Sequence, residues 1–549
     1  MNWFFGIVFI LVLLYLINNY YDKKRFKKLK ENLLDNWGKP KQNEYYNFYK
    51  IKQYFKNNIH KNKAYHFISD RTNIDLDLDA LFKFLDRTSS KIGQQYLYCK
   101  IRTIGSLEKL YKFDALSKLF KNNEALRIKS QLVLTTLNSE SSYDLEKLIN
   151  DKPIEKPKYL KFIYASSISA VLCIILSFFS PIFLLFLIPL FLINTVFHYK
   201  NKENITYYVS AVNQLGKALN VAKNLSLFKE IKANFSDLSF IKKVNSIKTK
   251  TKFIGFEQQL SNEFAVLIWS ITELIKIQFN LEYIIFYSFV DSITKEKESI
   301  DKLYQFIGEI DAAISVASLK SSGLKMCTPK FITEKQIYTT EIVHPLIENC
   351  IENNLNLENK SLLLTGSNMS GKTTFIRTIA INSILAQTIN TCFAKEYSAP
   401  FFKVFSSIRI SDDLMEDTSY YLKEVLIIKE LIEASKDENP SLFVLDEIFK
   451  GTNTIERISA GKGILSFLNK KNHIVLVSTH DIELTELLEN DNYELYHFNE
   501  KIEGGEMHFD HKLKSGKLKT RNAIKILELY NYPDEIIKDA KITEINNFV

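Results

Sequence analysis

The sequence predicts two kinds of fold in one chain: an all-helical region over residues 76–330, then an α/β domain with a mostly parallel sheet over 331–549. Three observations carry this. Residues 76–150 and 203–325 place apolar side chains at helical spacing with few Gly or Pro, as at Leu78, Leu81, Phe82 and Leu85, and again at Ile310, Ile314, Ala317 and Leu319. Near residue 330, Pro329, Pro345 and a polar stretch mark a change, after which short apolar runs alternate with helical ones. Two long charge-free runs, one at the N-terminus and one inside the helical region, have the length of membrane spans.

The first run, Trp3 to Ile17, is continuously apolar, with Tyr20 and Tyr21 just beyond. As a helix, Trp3–Tyr21 is roughly 28 Å long, close to the hydrocarbon thickness of a bilayer, and Trp and Tyr at its ends suit the two interfaces. The positive charge of Lys23, Lys24, Arg25, Lys27 and Lys28 follows the run instead of preceding it, unlike a cleaved signal. The expectation is an uncleaved anchor over 1–21 with its N-terminus outside, followed by a basic juxtamembrane segment over 22–75. Residues 21–63 hold thirteen Lys or Arg against four Asp or Glu, which accounts for the whole net charge of +9. Anionic lipid headgroups explain that location at least as well as nucleic acid does.

The second run, Phe162 to Phe197, is 36 residues without a charge, with Ser180-Pro181 in its middle. Each half is about 27 Å long as a helix, which predicts a transmembrane hairpin over 162–198. Lys158 and Lys161 before it and Lys200 and Lys202 after it put both ends on the inner side. The expected location is therefore the inner membrane, multi-pass, with everything after the hairpin cytoplasmic. Five cysteines without paired spacing argue against a disulfide framework and a Cys-based zinc site, and fit a reducing compartment. His508 and His511, near a Gly-Gly turn, read as solvated.

Within the α/β segment, Gly366-Ser367-Asn368-Met369-Ser370-Gly371-Lys372-Thr373 reads G-x-x-x-x-G-K-[ST]. An apolar strand, Ser361–Thr365, precedes it and a helical run, Phe375–Ile389, follows, with Thr374 between. That context makes it a phosphate-binding loop. The glycines turn backbone N–H groups onto phosphate oxygens, and the helix N-terminus adds its positive end. Lys372 would reach β- and γ-phosphates, and Thr373 would ligate Mg²⁺. Ser441–Asp446 is an apolar strand ending in Asp446 and Glu447. Asp446 suits the Mg²⁺ shell, and Glu447 would orient or deprotonate an attacking water. A further strand, Ile474–Thr479, ends at His480, placed to contact a γ-phosphate or hold the water. Thr418 or Ser419 caps a helical run to about Ala434, on whose exposed side Glu424 falls.

Taken together these motifs resemble the ATPase domain of the MutS family, a branch of the ABC-type ATPases. The phosphate loop resembles the family's T-G-P-N-M-x-G-K-S-T, with Ser367 where proline is usual. Thr418-Ser419-Tyr-Tyr-Leu-Lys-Glu424 resembles its S-T-F-x-x-E signature. Leu445–Ile448 with Gly451-Thr452-Asn453-Thr454 resembles D-E-x-x-x-G-T-S-T, Thr479-His480 its T-H switch, and His344-Pro345 its R-H-P run. Upstream, Leu85-Asp86-Arg87-Thr88 with Gly93 and Tyr96-Leu97, and Ile310–Ala317 with Pro329, resemble the two ends of the family's helical core.

The resemblance implies ATP and Mg²⁺ as cofactors, a base seated near Cys350-Ile351, and a homodimer in which Ser419 of one subunit caps the γ-phosphate held by the other. It also implies that closure of two ATPase domains moves helical lever arms. No room is expected before residue 76 for the family's mismatch-reading domain, and no nuclease domain after Val549. Two lysine clusters offer contacts to DNA phosphates: Lys242, Lys243, Lys248, Lys250 and Lys252, and Lys512, Lys514, Lys517, Lys519 and Arg521. Such contacts carry affinity without sequence information, and nothing offers base readout. The function expected is a membrane-anchored MutS-like ATPase that clamps DNA. The alternative is a membrane scaffold or signalling motor with a protein partner and no DNA. An ABC transporter fits poorly: the spans are few, no L-S-G-G-Q signature exists, and the hairpin carries no charge.

Overall fold

The computed structural model describes residues 2–56, 64–150, 156–251, 273–409, 420–449, 451–503, 506–518 and 523–546. The chain forms two compact units. The first comprises Met1–His60, Leu85–Cys99 and Lys112–Ser322; the second comprises Lys61–Phe84, Lys100–Tyr111 and Gly323–Val549.

The first unit is helical. Its main elements are α1 (Asn2–Asp35), α2 (Leu160–Ser177), α3 (Leu187–Ser226) and α4 (Lys297–Leu319). α4 is buried along nearly its whole length, and Ile310, Ile314, Ala317 and Leu319 are among its core residues. Its Asp311 accepts hydrogen bonds from Ser89 N (2.8 Å), Ser90 N (2.8 Å) and Ser90 Oγ (2.6 Å). Gly93 is glycine because a Cβ there would meet the Asp311 carboxylate at 2.0 Å. Asp86 accepts from Lys41 Nζ (2.8 Å) and Thr88 Oγ1 (2.6 Å), so both buried carboxylates have donors.

Among the described residues of this unit, two helices, within Leu160–Ser177 and Pro181–Lys200, are long and apolar enough to cross a membrane. Most of their large side chains are exposed, including Phe162, Ile168, Leu172, Ile188 and Leu192. α1 continues from the apolar N-terminal run into the basic segment. Among its described side chains Leu13, Leu16, Ile17, Tyr20 and Tyr21 are exposed.

The second unit is α/β. Its central sheet contains β6 (Ser361–Thr365), β8 (Lys403–Ser407), β9 (Ser441–Asp446), β10 (Ile474–Thr479), β11 (Tyr493–Glu503) and β12 (Glu506–Ser515), in the order β12-β11-β6-β10-β9-β8. All neighbours are parallel except the β11–β12 hairpin. A parallel sheet buried on both faces wants strands apolar throughout, and β6 and β10 are buried at every position. On one face Leu363, Phe443, Leu445, Val475 and Val477 pack with helices α6 (Tyr420–Ala434), α7 (Thr454–Leu468) and α8 (Glu483–Glu489) through residues such as Leu431, Leu465 and Leu484. Helix α5 (Lys372–Ile389) packs against β9 and β10.

A second sheet, not anticipated from the sequence, holds β3 (Lys330–Phe331), β4 (Gln336–Ile342), β5 (Asn353–Glu358) and β7 (Glu396–Ala399) in the order β3-β7-β4-β5. The unit also reaches beyond 331–549. His66–Phe67 (β1) pairs with Thr103–Ile104 (β2), and Asp75 accepts from Ser406 Oγ (2.6 Å) and Arg409 N (2.8 Å). Those buried polar contacts tie upstream residues to the end of β8.

Candidate nucleotide site

The phosphate loop is built by two backbone positions that need glycine. Gly366, leaving β6, has φ 147°, and a Cβ there would lie 2.8 Å from Ser370 Oγ and 3.0 Å from Phe498 O. Gly371 has φ 104° and turns the chain into α5. Between them Asn368–Ser370 forms one 3₁₀ turn, with Met369 exposed. Lys372 opens α5 and is 2% exposed. Its Nζ donates to Gly366 O (2.7 Å) and Ser367 O (2.9 Å), and lies 3.2 Å from His480 Nε2. The ammonium is thus held over the loop by its own carbonyls. Ser367 Oγ is buried without a hydrogen-bond partner among the described residues, an unusual condition for a hydroxyl.

Sheet register assembles the second half of the site. β6, β10 and β9 are adjacent and parallel, so their C-terminal ends meet: Thr479 pairs with Thr365, and Ser478 with Asp446. Ligand sites in open parallel sheets lie at that edge. Asp446 Oδ2 accepts from Thr373 Oγ1 at 2.8 Å, and its Oδ1 accepts from Ser478 Oγ. Glu447 follows with φ 52°, its N–H donating to Ser478 O at 2.8 Å. That left-handed turn aims the carboxylate across the sheet edge, where Oε1 lies 2.9 Å from His480 Nε2. His480 Nε2 therefore faces both a cation and a carboxylate, and can serve as acceptor to one or donor to the other. Arg457 grips Asp481 with two bonds, from Nε (2.9 Å) and Nη2 (2.6 Å), which fixes the backbone just after His480.

Beside the loop lies a cavity of about 280 Å³, lined by Ile351, Met369, Thr374, Phe375, Phe498 and His511 among others. It is mostly apolar and open, a shape that can accept a flat heterocycle beside the loop. His511 is exposed, but its ring is tied down: Nδ1 lies 3.0 Å from Ser370 O, and the ring stacks with Phe509. The exposure agrees with the sequence expectation for His511; the two contacts are what the sequence did not signal. The β11–β12 hairpin carries it back to the loop, a long-range placement that no local spacing signals.

Comparison with known proteins agrees with this geometry. Residues 362–546 match the family model described as MutS domain V. Curated relatives named DNA mismatch repair protein MutS, from Staphylococcus aureus strains JH9, Newman and JH1, are each 30% identical over 278 residues. The match covers 48% of this chain and 31% of each relative, so the chain spans about a third of the length of the curated relatives it matches.

Residues 362–546 are thus similar to MutS domain V, and the likeness to that family model lies in this segment alone.

The structure brings together Gly366, Ser367, Ser370, Gly371, Lys372, Thr373, Asp446, Glu447 and His480 within the matched segment, with Met369, Thr374 and, from just before that segment, Ile351 on the adjoining cavity. The side chain of Asn368 and the whole of Thr418 and Ser419 lie outside the described residues. Glu424, expected on the exposed side of its helix, is 1% exposed. Its carboxylate turns inward and accepts the Phe449 N–H, in the turn just past Glu447, where φ is again positive at 60°. A backbone donor at a strained turn overrides helical phase. His344 is buried, and its Nδ1 accepts from Leu346 N–H at 3.3 Å, so its proton is on Nε2. Burial, with the Arg377 charge adding to it, pushes its pKa down to about 4.

The two lysine clusters differ. Lys512 Nζ donates to Glu352 O (2.8 Å), Lys514 pairs with Asp510 (2.6 Å) and Lys517 with Glu489 (2.9 Å). Lys519 and Arg521 lie outside the described residues, as does Lys252. Lys242 and Lys243 stand exposed on the helix Ser239–Thr251.

Proposed function

We propose that this chain is a membrane-tethered MutS-type ATPase that binds and hydrolyses MgATP in a composite dimer site and clamps DNA through phosphate contacts. The observation that carries the enzymatic part is the constellation of Lys372, His480 and Glu447 beside the Thr373–Asp446 pair. The residues fit the group. A buried hydroxyl without a partner among the described residues on Ser367, a lysine held over the loop by its carbonyls, and a hydroxyl facing a carboxylate are the donors and acceptors a magnesium–triphosphate needs. Thr373 and Asp446 would hold the metal, which supplies charge neutralisation on phosphate oxygens. Lys372 and the loop N–H groups bind the β- and γ-phosphates. Glu447 orients a water and takes its proton, and His480, in hydrogen-bond reach of Glu447, fixes that carboxylate or the water. Ile351, Phe375 and His511 enclose the base. Ser419 of the partner subunit completes the site, as the family resemblance implies.

The membrane tether is supported by the exposed apolar surfaces of the helices within Leu160–Ser177 and Pro181–Lys200. The DNA clamp is supported by the relatives' names and by the open lysines at 242 and 243. A second reading, a membrane scaffold with a protein partner and no DNA, is favoured by one observation: Lys512, Lys514 and Lys517 already have acceptors in their own unit.

The test uses full-length protein in detergent, wild type and Glu447→Gln. The substitution should slow hydrolysis about 100-fold or more while keeping ATP bound, which holds the closed dimer. Duplex affinity is then measured with matched, mismatched and branched DNA, with and without ATP, across a salt series. Nucleotide-dependent binding with a steep salt slope supports the clamp. No binding at low salt transfers the function to the scaffold, and an unchanged hydrolysis rate removes Glu447 from the mechanism.

A further inference from the structure

Cys327 and Cys392 are far apart in sequence and share no motif, yet the α/β unit sets them opposite each other. They form an isolated antiparallel bridge: Cys327 N donates to Cys392 O (2.9 Å) and Cys392 N donates to Cys327 O (3.0 Å). A pair that exchanges both backbone hydrogen bonds has Cα atoms about 5.5 Å apart, inside the range a disulfide spans, roughly 4.4–6.8 Å. The two thiols are also within hydrogen-bond reach of each other, and both are free in this structure.

We propose that Cys327 and Cys392 are a reversible dithiol–disulfide pair that staples the start of the α/β unit's C-terminal segment to the end of the phosphate-loop helix.

The two sulfurs have unequal surroundings, and that asymmetry sets the order of events. Cys327 is half-buried and reachable, and its hydrogen bond from Cys392 holds its pKa below the usual thiol value. Cys392 is fully buried, and burial raises its pKa. Cys327 is therefore the attacking thiolate and Cys392 the resolving thiol. With a small-molecule disulfide as oxidant, the Cys327 thiolate attacks one oxidant sulfur and expels the other as a thiolate. That leaving thiolate takes up the proton of Cys392. The Cys392 sulfur then attacks Cys327 and displaces the second oxidant thiol. The protein loses two protons and two electrons: the Cys392 proton goes to the first leaving thiolate, the proton released when the Cys327 thiolate forms goes to the second, and one oxidant disulfide becomes two thiols.

The consequence lies in what each cysteine is attached to. Cys392 comes just after α5, whose left-handed C-cap is Asn390, and its Sγ lies 3.5 Å from Asn382 O, an alternative acceptor for its one S–H. Asn382 in turn accepts the Phe393 N–H at 2.6 Å. Cys327 lies just inside Gly323, where the chain enters the unit from α4. A disulfide would make the bridge covalent and fix the far end of the helix whose first residue is Lys372.

Full-length protein is equilibrated in oxidised and then reduced glutathione, without nucleotide, so the readout is independent of ATPase activity. Free thiols are counted and peptides mapped by mass spectrometry. Oxidation should lower the count from five to three, given the chain's five cysteines. It should yield one crosslinked peptide pair, and reduced glutathione should reverse it. The unfolding midpoint of the oxidised protein should rise by several degrees. Cys327→Ser, at a half-buried site that tolerates serine, should abolish both the crosslink and the shift. Glutathione captured on Cys327 with Cys392 left as a thiol would overturn the proposal, as would a Cys327–Cys392 crosslink with the midpoint unmoved.

Discussion

Helices α2 and α5 are each 18 residues long, and they bury opposite things. α5 places almost every residue inside, polar ones included: Thr378, Asn382, Ser383, Gln387 and Thr388 are buried with Phe375, Ile379 and Leu385. Each buried polar group finds an acceptor, mostly one helical turn back, as Ser383 Oγ does at Ile379 O (2.8 Å). α2 buries Ile163, Ser166, Ser167 and Ala170 and exposes Phe162, Ile168, Val171, Leu172 and Ile175. Its Ser166 Oγ donates to Asn194 Oδ1 of α3 (2.6 Å), and Asn194 Nδ2 to Gln278 O (2.7 Å). Small and polar inside with large and apolar outside is the arrangement of helices whose surroundings are hydrocarbon. In water each exposed Leu or Ile forgoes about 1.5–3 kcal/mol of burial. One helix is thus covered by a sheet and its neighbours, the other leaves a large apolar face uncovered, and the proposed tether rests on that difference.

The contrast breaks first at the N-terminus of α5. Lys372→Ala removes the only side-chain cation that the loop carbonyls of Gly366 and Ser367 hold among the described residues. ATP affinity should fall at least about 100-fold, roughly 3 kcal/mol. Titration calorimetry reads it directly. Because a buried ammonium is removed, the unfolding midpoint without nucleotide should hold or rise. Unaltered binding would sink the loop assignment.

Much of that site was legible because its signals are contiguous. Gly366–Thr373 lies in one stretch, and Asp446, Glu447 and His480 each end an apolar run, so parallel register does the rest. His511 was not legible: its approach to Ser370 depends on a hairpin returning to the sheet edge. Glu424 was misread because helical phase predicts only which side faces the core on average, and a turn N–H at Phe449 claims this carboxylate. The Cys327–Cys392 bridge and the second sheet share one cause. Both are pairings between distant, short segments whose local patterns carry no register information. In the helical unit the periodicity at Ile310, Ile314 and Ala317 gave burial correctly, while their partners stayed unreadable.

A charge on the exposed face of the hairpin sharpens the comparison next. Ile168 and Leu192 are 61% and 62% exposed near the middles of the two apolar helices. If lipid covers them, Ile168→Arg or Leu192→Arg each costs about 2.5–3.5 kcal/mol at a span centre. Membrane-fraction recovery should then drop for each variant, and further for the pair. If water covers them, the same changes should improve solubility and leave fractionation alone, and that outcome would end the tether.

The smallest effect separates the two units by sign. In the α/β unit, His344 is held neutral by burial, with its pKa near 4 instead of the ordinary 6.5; His66, whose Nε2 donates to Val404 O at 2.8 Å, is likewise pushed down to about 4. Between those values the unfolded chain binds protons that the folded unit does not, so stability falls as pH falls through that window. At pH 5.5 this amounts to roughly 1 kcal/mol per histidine. In the helical unit, burial raises the Asp311 carboxyl to about 6, against the pull of its three donors. There the folded state binds the extra proton between the ordinary carboxylate value and 6, so stability is lost as pH rises through 6 and gained on acidification, by roughly 1 kcal/mol or less. Amide hydrogen exchange reads units separately. From pH 7 to 5.5, protection corrected for intrinsic exchange should weaken around β4 and β8 and hold or strengthen along α4. His344→Gln should roughly halve the loss in the α/β unit, and Asp311→Asn should remove the gain in α4. Uniform weakening in both units would mean that Asp311 is ionised in the fold, and that its three hydrogen bonds outweigh its burial.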